Sequence, residues 1–270
     1  MRIIVTGCSG MVGYHVTKSL LEAGHEVIGI FTLDHKGKRD NIEDLLKHDN
    51  FLPFEKDLNF EFNSAEKITL SCVDIILNIA SESHVDRSIT DPVPFIKNNV
   101  NIALNMLELA REIKPKLFLQ FSTDESFGVA PEGTNHSEWA PHIPSNPYAA
   151  SKAAQEDIAI SYWRTYGVPV VITNTMNIFS EIQDWEKFIP LCVKKILSNE
   201  EITIHSYPGA TKAGSRFYIH ADSVAEAIKF IIEKPVNLYP NVDRPDRYNI
   251  VGDMEVNNLA LATMIANLLE

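Results

Sequence analysis

Tyr148 and Lys152 stand four residues apart, so on a helix they lie one above the other on a single face. An ammonium beside a phenol favours the phenolate, which makes Tyr148 a candidate acid–base group near neutral pH. Upstream lies a second candidate, the adjacent carboxylates of Asp124 and Glu125 in Ser122-Thr123-Asp124-Glu125-Ser126-Phe127-Gly128. Neighbouring acids repel, and both need solvation. A pair of acids is also what an elimination requires, one to take a proton from carbon and one to protonate the departing hydroxyl. Taken singly, each pattern also fits a solvated surface, so the surrounding elements must decide.

Short apolar runs supply those elements. Arg2 to Thr6 reads as a buried parallel strand, Tyr14 to Ala23 as a helix broken at Gly24-His25, and Glu26 to Phe31 as a second strand. Between the first strand and the helix runs Gly7-Cys8-Ser9-Gly10-Met11-Val12-Gly13, giving a strand, turn, helix and strand unit. Glycines there permit a tight turn, backbone approach to a pyrophosphate, and close packing of helix on strand. The free N–H groups of the helix start would then face the phosphates. The candidate dinucleotide contacts are Gly7, Ser9, Gly10, Met11, Val12 and Gly13. The acid expected at the end of the second strand is replaced by Phe31, and Asp34 is the nearest carboxylate. Lys36, Lys38 and Arg39 beside it fit either a solvated loop or a 2′-phosphate site; NAD is the expected cofactor.

Further strands are expected over Asn50 to Phe54, Val73 to Ile79, Lys116 to Phe121, Val168 to Thr173 and Tyr248 to Gly252. Helices are expected over Pro94 to Lys114, Tyr148 to Tyr166 and Val256 to Leu269, with an amphipathic segment over Val224 to Ile232. Strands alternating with helices predict an α/β fold, a Rossmann-type doubly wound parallel sheet. Asp124-Glu125 then falls at a strand's carboxyl end, where ligands sit in such sheets. Pro147 directly before Tyr148 suits a helix start, where a missing N–H costs little.

Composition limits the rest. The chain has 270 residues, 45% hydrophobic and 22% charged, which allows one sizeable core and argues against disorder. A net charge of −12 argues against nucleic acid and acidic membranes as partners. No apolar run approaches the roughly 18–20 residues of a membrane span, and no leader pattern precedes the first strand, so a cytoplasmic protein is expected. The three cysteines, Cys8, Cys72 and Cys192, lack metal-ligand spacing and read as reduced packing residues; no metal is expected.

In combination these motifs resemble the extended branch of the short-chain dehydrogenase/reductase superfamily, the NAD-dependent epimerase/dehydratase family. Among its members the nucleotide-sugar 4,6-dehydratases are the most similar, the dTDP-glucose 4,6-dehydratase group above all. The glycine turn resembles TGxxGxxG, and a strand carrying Ser/Thr followed by YxxxK is the superfamily's catalytic signature. Ala80-Ser81-Glu82-Ser83-His84-Val85-Asp86-Arg87-Ser88-Ile89 resembles AAESHVDRSI, and Ser122 to Gly128 resembles STDEVYG. By that resemblance Asp57, Leu58, Ala80, Ser81 and Ser122 join the cofactor site, along with Tyr148 and Lys152. Ser83, His84, Asp86, Thr123, Asn177, Lys187 and Arg216 approach a nucleotide-sugar substrate, with the Arg216 fork suited to a diphosphate. The resemblance also implies a structural contact for Asn99. In the mechanism it implies, Tyr148 takes the proton of the sugar 4-hydroxyl, Lys152 lowers the Tyr148 pKa, Thr123 bonds the reacting oxygen, Glu125 is the base at C5, and Asp124 protonates the departing 6-hydroxyl.

The resemblance also implies a homodimer through the helices at 94–114 and 148–166. It divides the chain into a Rossmann domain with the catalytic residues (1–173) and a mainly substrate-binding region (174–270), some of whose segments return to the sheet. The family continues for further residues, including another arginine, so the substrate region is expected to be shortened. Departures are Asn174 for the family's Arg, Phe179-Ser180-Glu181 for its Tyr-Gly-Pro, and Ser126-Phe127 for its Val-Tyr. A 4-epimerase and a non-catalytic NAD-binding protein are the alternative readings.

Overall fold

The computed structural model describes residues 1–33, 38–131, 133–206 and 212–269. Asp34 and Lys36, expected beside the cofactor ribose, lie outside the described residues. In order, the elements are β1 (Arg2–Thr6), α1 (Met11–Glu22), β2 (Glu26–Phe31), α2 (Arg39–Leu45), β3 (Phe51–Glu55), α3 (Ser64–Thr69), β4 (Ile75–Asn78), α4 (Val85–Thr90), α5 (Pro92–Ile113) and β5 (Leu117–Thr123). A single 3-10 turn, Asp124–Phe127, ends β5. Then come α6 (Pro147–Tyr166), β6 (Val170–Thr175), β7 (Asn177–Phe179), α7 (Phe188–Leu197), β8 (Ser215–His220), α8 (Ala221–Ile232), β9 (Asp246–Ile250), β10 (Glu255–Asn257) and α9 (Asn258–Leu269).

Seven parallel strands form the main sheet in the order β3-β2-β1-β4-β5-β6-β9. The order reverses between β1 and β4, which opens a crevice at their carboxyl ends. Apolar runs make these strands because helices cover both faces, leaving no solvent side. Ile3, Val5, Leu77 and Leu119 face one core with α1 and α8, and Ile4, Ile76 and Phe118 face the other with α5 and α6. A small sheet, β10-β8-β7, is built from the second part of the chain, while β9 and α8 return to the main body. Val256, expected in the final helix, lies instead in β10, paired with Arg216 of β8, and the helix begins at Asn258. Residues 174 and 175 lie within β6. Cys8 and Cys192 are packing residues as expected, whereas Cys72 is exposed at a turn with φ of 59°.

The glycine turn is steric necessity at two positions. Gly7 has φ of 72°, a left-handed conformation, and a Cβ there would press on Ala80 Cα at 3.0 Å. A Cβ on Gly13 would lie 2.1 Å from the Gly7 carbonyl oxygen, so α1 can rest on the turn only without a side chain. Gly10 meets only the Gly7 oxygen, at 3.3 Å. Gly13→Ala is therefore expected to cost about 2 kcal/mol or more in a denaturant titration, while Gly10→Ala costs under about 1 kcal/mol. Equal stability of the two variants would contradict this packing.

Candidate active site

The glycine turn leads to α1, whose N-cap Gly10 gives no side-chain hydrogen bond to the first turn. Those N–H groups are thus left for an external acceptor. Ser9 shapes the turn, its hydroxyl donating to Thr32 O at 3.1 Å while its carbonyl accepts from Asn41 Nδ2 at 2.9 Å. Met11 and Val12 are half-buried at the helix start. Across the crevice, Thr6 Oγ1 accepts from the backbone of Ile79 and Ala80, each at 2.9 Å, and holds Ala80 against Gly7. Ser81 follows, half-buried, its hydroxyl donating to Glu82 O. A glycine cradle, a helix start with open N–H groups and a close strand β4 suit a dinucleotide pyrophosphate. Two expected cofactor contacts have other occupations. Leu58 packs in the core beside Ile4, Ile28 and Ile30, and exposed Asp57 closes its own turn onto Asn59. Phe31 is likewise a core residue.

At the end of β5 the chain turns sharply. Thr123 caps the 3-10 turn, accepting from Glu125 N at 3.3 Å and donating to Asp124 Oδ1 at 3.2 Å. Both carboxylates are brought beside Tyr148, which begins α6. Asn146 caps that helix through Ala149 N at 2.8 Å and donates its amide to Glu125 Oε2 at 3.0 Å. The Tyr148 N–H is satisfied by Ser88 Oγ at 3.1 Å. Asn99, as expected, has a structural contact, bonding both backbone groups of Glu82 and the Ser151 hydroxyl.

The Lys152 ammonium is buried and donates to Phe121 O at 2.7 Å and to Gln155 Oε1 at 2.6 Å. Burial lowers its pKa to about 7, against the opposing pull of Glu156. Tyr148 shows the opposite of the expected shift. Burial, then Glu125, then Asp124 push the phenol up, and only the hydrogen bond with Thr123 acts downward. The ammonium is engaged by carbonyl oxygens, and two carboxylates face the phenol.

Asp124 is pushed up from 3.8 to about 6, first by burial and then by Glu125, with Thr123 and Arg216 pulling down. Arg216, exposed on β8, therefore shares the field of Asp124. Asn177 opens β7, paired with Tyr218 of that strand. Lys187 donates to Ser83 O at 2.8 Å, and burial lowers its pKa while Glu125 supports its charge. His84 caps α4 through Arg87 N and faces Glu186 at 3.3 Å; Arg87 also pairs with Glu186. Burial, then Lys187, lowers the His84 pKa. Asp86 is exposed on α4.

Ser122, expected at the cofactor, gives its hydroxyl to Glu156 Oε1, behind the site. Glu156 also accepts from Asn174 Nδ2 at 2.8 Å, Arg247 and His142 Nε2 at 3.1 Å. Burial opposes its charge, but the His142 bond, the Arg247 charge and the Ser122 bond outweigh it and hold its pKa low. Sequence reasoning missed Asn146, Gln155 and Glu156; Asn before Pro147 is the one with a readable signal, a helix N-cap.

The NAD dependent epimerase/dehydratase family matches residues 3–250. The chain belongs to that family. The cofactor expected from the glycine turn is thus the family's own. A probable dTDP-glucose 4,6-dehydratase of Sinorhizobium fredii (strain NBRC 101917 / NGR234) is 31% identical over 280 residues, covering 100% of this chain and 77% of the relative. The crystal structure of DesIV, a dTDP-glucose 4,6-dehydratase from Streptomyces venezuelae with NAD and TYD bound, superposes with a TM-score of 0.88 at 30% identity. It covers 100% of this chain and 81% of that one. A UDP-glucuronic acid 4-epimerase from Bacillus cereus, with UDP-glucuronic acid and NAD, shares the fold at a TM-score of 0.86 and 24% identity, covering 100% and 83%. Among the described residues no helix is long and apolar enough to cross a membrane.

The Asp124 shift sets a sign for stability. Its folded pKa of about 6 exceeds the ordinary 3.8, so the proton-bound form stabilises the fold. That contribution is complete below pH 3.8 and is lost as pH rises through about 6. At pH 7 the ionised group is a cost, and Asp124→Asn is expected to gain about 1–2 kcal/mol after allowance for partial exposure. The gain should vanish below about pH 4 in denaturant titrations across pH; a gain independent of pH would contradict the assignment.

Proposed function

We propose that the protein is a nucleotide-sugar 4,6-dehydratase, converting an NDP-hexose, dTDP-glucose before others, to the NDP-4-keto-6-deoxy sugar. The observation that carries this reading is the Asp124-Glu125 pair at the end of β5, facing Tyr148, with Asp124 held partly protonated near neutral pH. A carboxyl with a pKa of about 6 can give a proton to a leaving hydroxyl, which an ordinary aspartate does poorly at pH 7.

NAD, when bound in the glycine cradle, supplies the hydride acceptor for C4, the hydride donor for C6 and the positive charge of its nicotinamide ring. Tyr148, as its phenolate, accepts the proton of the sugar 4-hydroxyl; the nicotinamide and Lys152 charges would favour that form against burial and the two carboxylates, and the Thr123 hydrogen bond acts in the same direction. Lys152 contributes a positive charge one helical turn from Tyr148. Oxidation at C4 acidifies the C5 hydrogen. Glu125, aimed by the Asn146 amide, removes it, and Asp124 protonates the 6-hydroxyl as water departs. Ser83, His84, Asp86, Asn177 and Lys187 surround the sugar nucleotide, and Arg216 takes the diphosphate. Residues 1–173 then carry the cofactor and chemistry, and 174–270 mainly the substrate.

Incubation with dTDP-, UDP-, GDP- and CDP-glucose is expected to yield a keto product with loss of water from one of them. Inversion at C4 without water loss would mean an epimerase. Glu125→Gln is expected to abolish exchange of the C5 hydrogen with solvent while bound NAD is still reduced by substrate. Unchanged exchange would remove Glu125 from this role.

A homodimer through the helices at 94–114 and 148–166 belongs to the same proposal. Val93, Ile96 and Leu104 are exposed apolar residues of α5, at 55%, 42% and 40%. Sedimentation is expected to give twice the chain mass, falling to one for Ile96→Glu combined with Leu104→Glu. A monomeric wild-type protein would contradict it.

A further inference from the structure

The Lys152 ammonium needs acceptors inside the protein, and an amide one turn along α6 supplies one of them. Gln155 is fully buried, and both ends of its amide are engaged. Its Oε1 accepts from Lys152 Nζ at 2.6 Å and from Gln120 Nε2 at 3.3 Å, while its Nε2 donates to Asn99 O at 2.6 Å. Gln120 is held in turn by Asn78 Nδ2 at 2.9 Å, and Asn78 by the Thr6 hydroxyl at 3.1 Å. This chain of side chains crosses β1, β4 and β5 and ends on the ammonium. Its last link cannot slide, because the Asn99 carbonyl fixes the far end of the Gln155 amide.

We propose that Gln155 is the positioning residue of the Lys152 ammonium, clamping it between the Phe121 carbonyl and the α5 backbone at Asn99. The proposal rests on the reading of Lys152 as part of the active site, and it adds a residue to which the chemistry assigned above gives no part. Without the Gln155 oxygen, the ammonium would retain one neutral acceptor, Phe121 O, and the more distant charge of Glu156. A buried cation that loses an acceptor gives up its proton more readily.

The titratable groups at this end of α6 are Tyr148 and Glu156, and at the end of β5 Asp124 and Glu125, which act on Tyr148. From α5 the neutral Asn99 carbonyl meets Gln155, and Arg247 of β9 and His142 are bound to Glu156. Of these, Glu156 is the group that acts on the ammonium, and it acts to retain the proton. Gln155 and Glu156 are thus neighbours on α6 with complementary parts, direction from one and charge from the other.

The test is the titration of Lys152 itself, followed by NMR in full-length protein labelled with 13Cε-lysine and assigned by the resonance missing from Lys152→Met. Gln155→Met keeps the length of the side chain and removes the acceptor. It is expected to move the midpoint to lower pH by about one unit. Gln155→Asn keeps the polarity but draws the amide back by one methylene; it should move the midpoint the same way and serves if the methionine variant does not fold. A midpoint equal to wild type, or higher, in a folded variant would overturn the proposal. In the active enzyme the alkaline limb of the kcat profile should fall with the midpoint, with KM little changed. The NMR midpoint is read without substrate or NAD, so it judges Gln155 even if no sugar nucleotide is turned over. Failure of wild-type turnover would instead count against the dehydratase reading.

Discussion

A buried ammonium at the carboxyl end of a parallel sheet is the constraint on which most of this site depends. Lys152 is 2% exposed, and placing such an ion inside protein costs several kcal/mol even after relaxation. That cost is bearable only if acceptors are fixed around it. Phe121 O comes from β5 and Gln155 Oε1 from α6, so strand and helix must keep their register. Gln120, Asn78 and Thr6 carry that register across β5, β4 and β1. Thr6 also receives the N–H groups of Ile79 and Ala80, which brings Ala80 against Gly7 at the cofactor turn. One polar chain therefore joins the glycine turn to α6.

A second buried group braces the other side. Glu156 gathers Ser122 of β5, Asn174 of β6, Arg247 of β9 and His142 of the loop before α6. Removing one partner from such a pair leaves an uncompensated buried charge, a loss of about 3–5 kcal/mol. With these strand ends fixed, Thr123 caps the 3-10 turn that brings Asp124 and Glu125 beside Tyr148. Burial and the neighbouring carboxylates raise both Asp124 and Tyr148. At pH 7 the ionised Asp124 is then a cost to the fold, of the kind functional sites commonly carry.

Much of this was legible in the sequence, for identifiable reasons. Apolar runs mark the strands, and a glycine turn that excludes side chains at Gly7 and Gly13 marks the βαβ unit. Tyr148 and Lys152 sit on α6 because Pro147 and Asn146 start a helix there. What lies several residues away in space was not legible. The engagement of Ser122 with Glu156, and of Lys152 with Gln155, depends on which of several acceptors lies closest. Asn174 stands where the resembled family has an arginine, and the cation beside Glu156 comes instead from Arg247, on a strand that follows much later in the chain. Val256 escaped because a three-residue strand beside a helix start has no period of its own.

In the proposed reaction, oxidation at C4 serves an elimination, with the hydride delivered to C6 and not returned to C4. Supplying dTDP-glucose deuterated at C4 and locating the deuterium by NMR tests this most directly. The account predicts deuterium at C6 of a 4-keto-6-deoxy product; deuterium retained at C4 after turnover would contradict it.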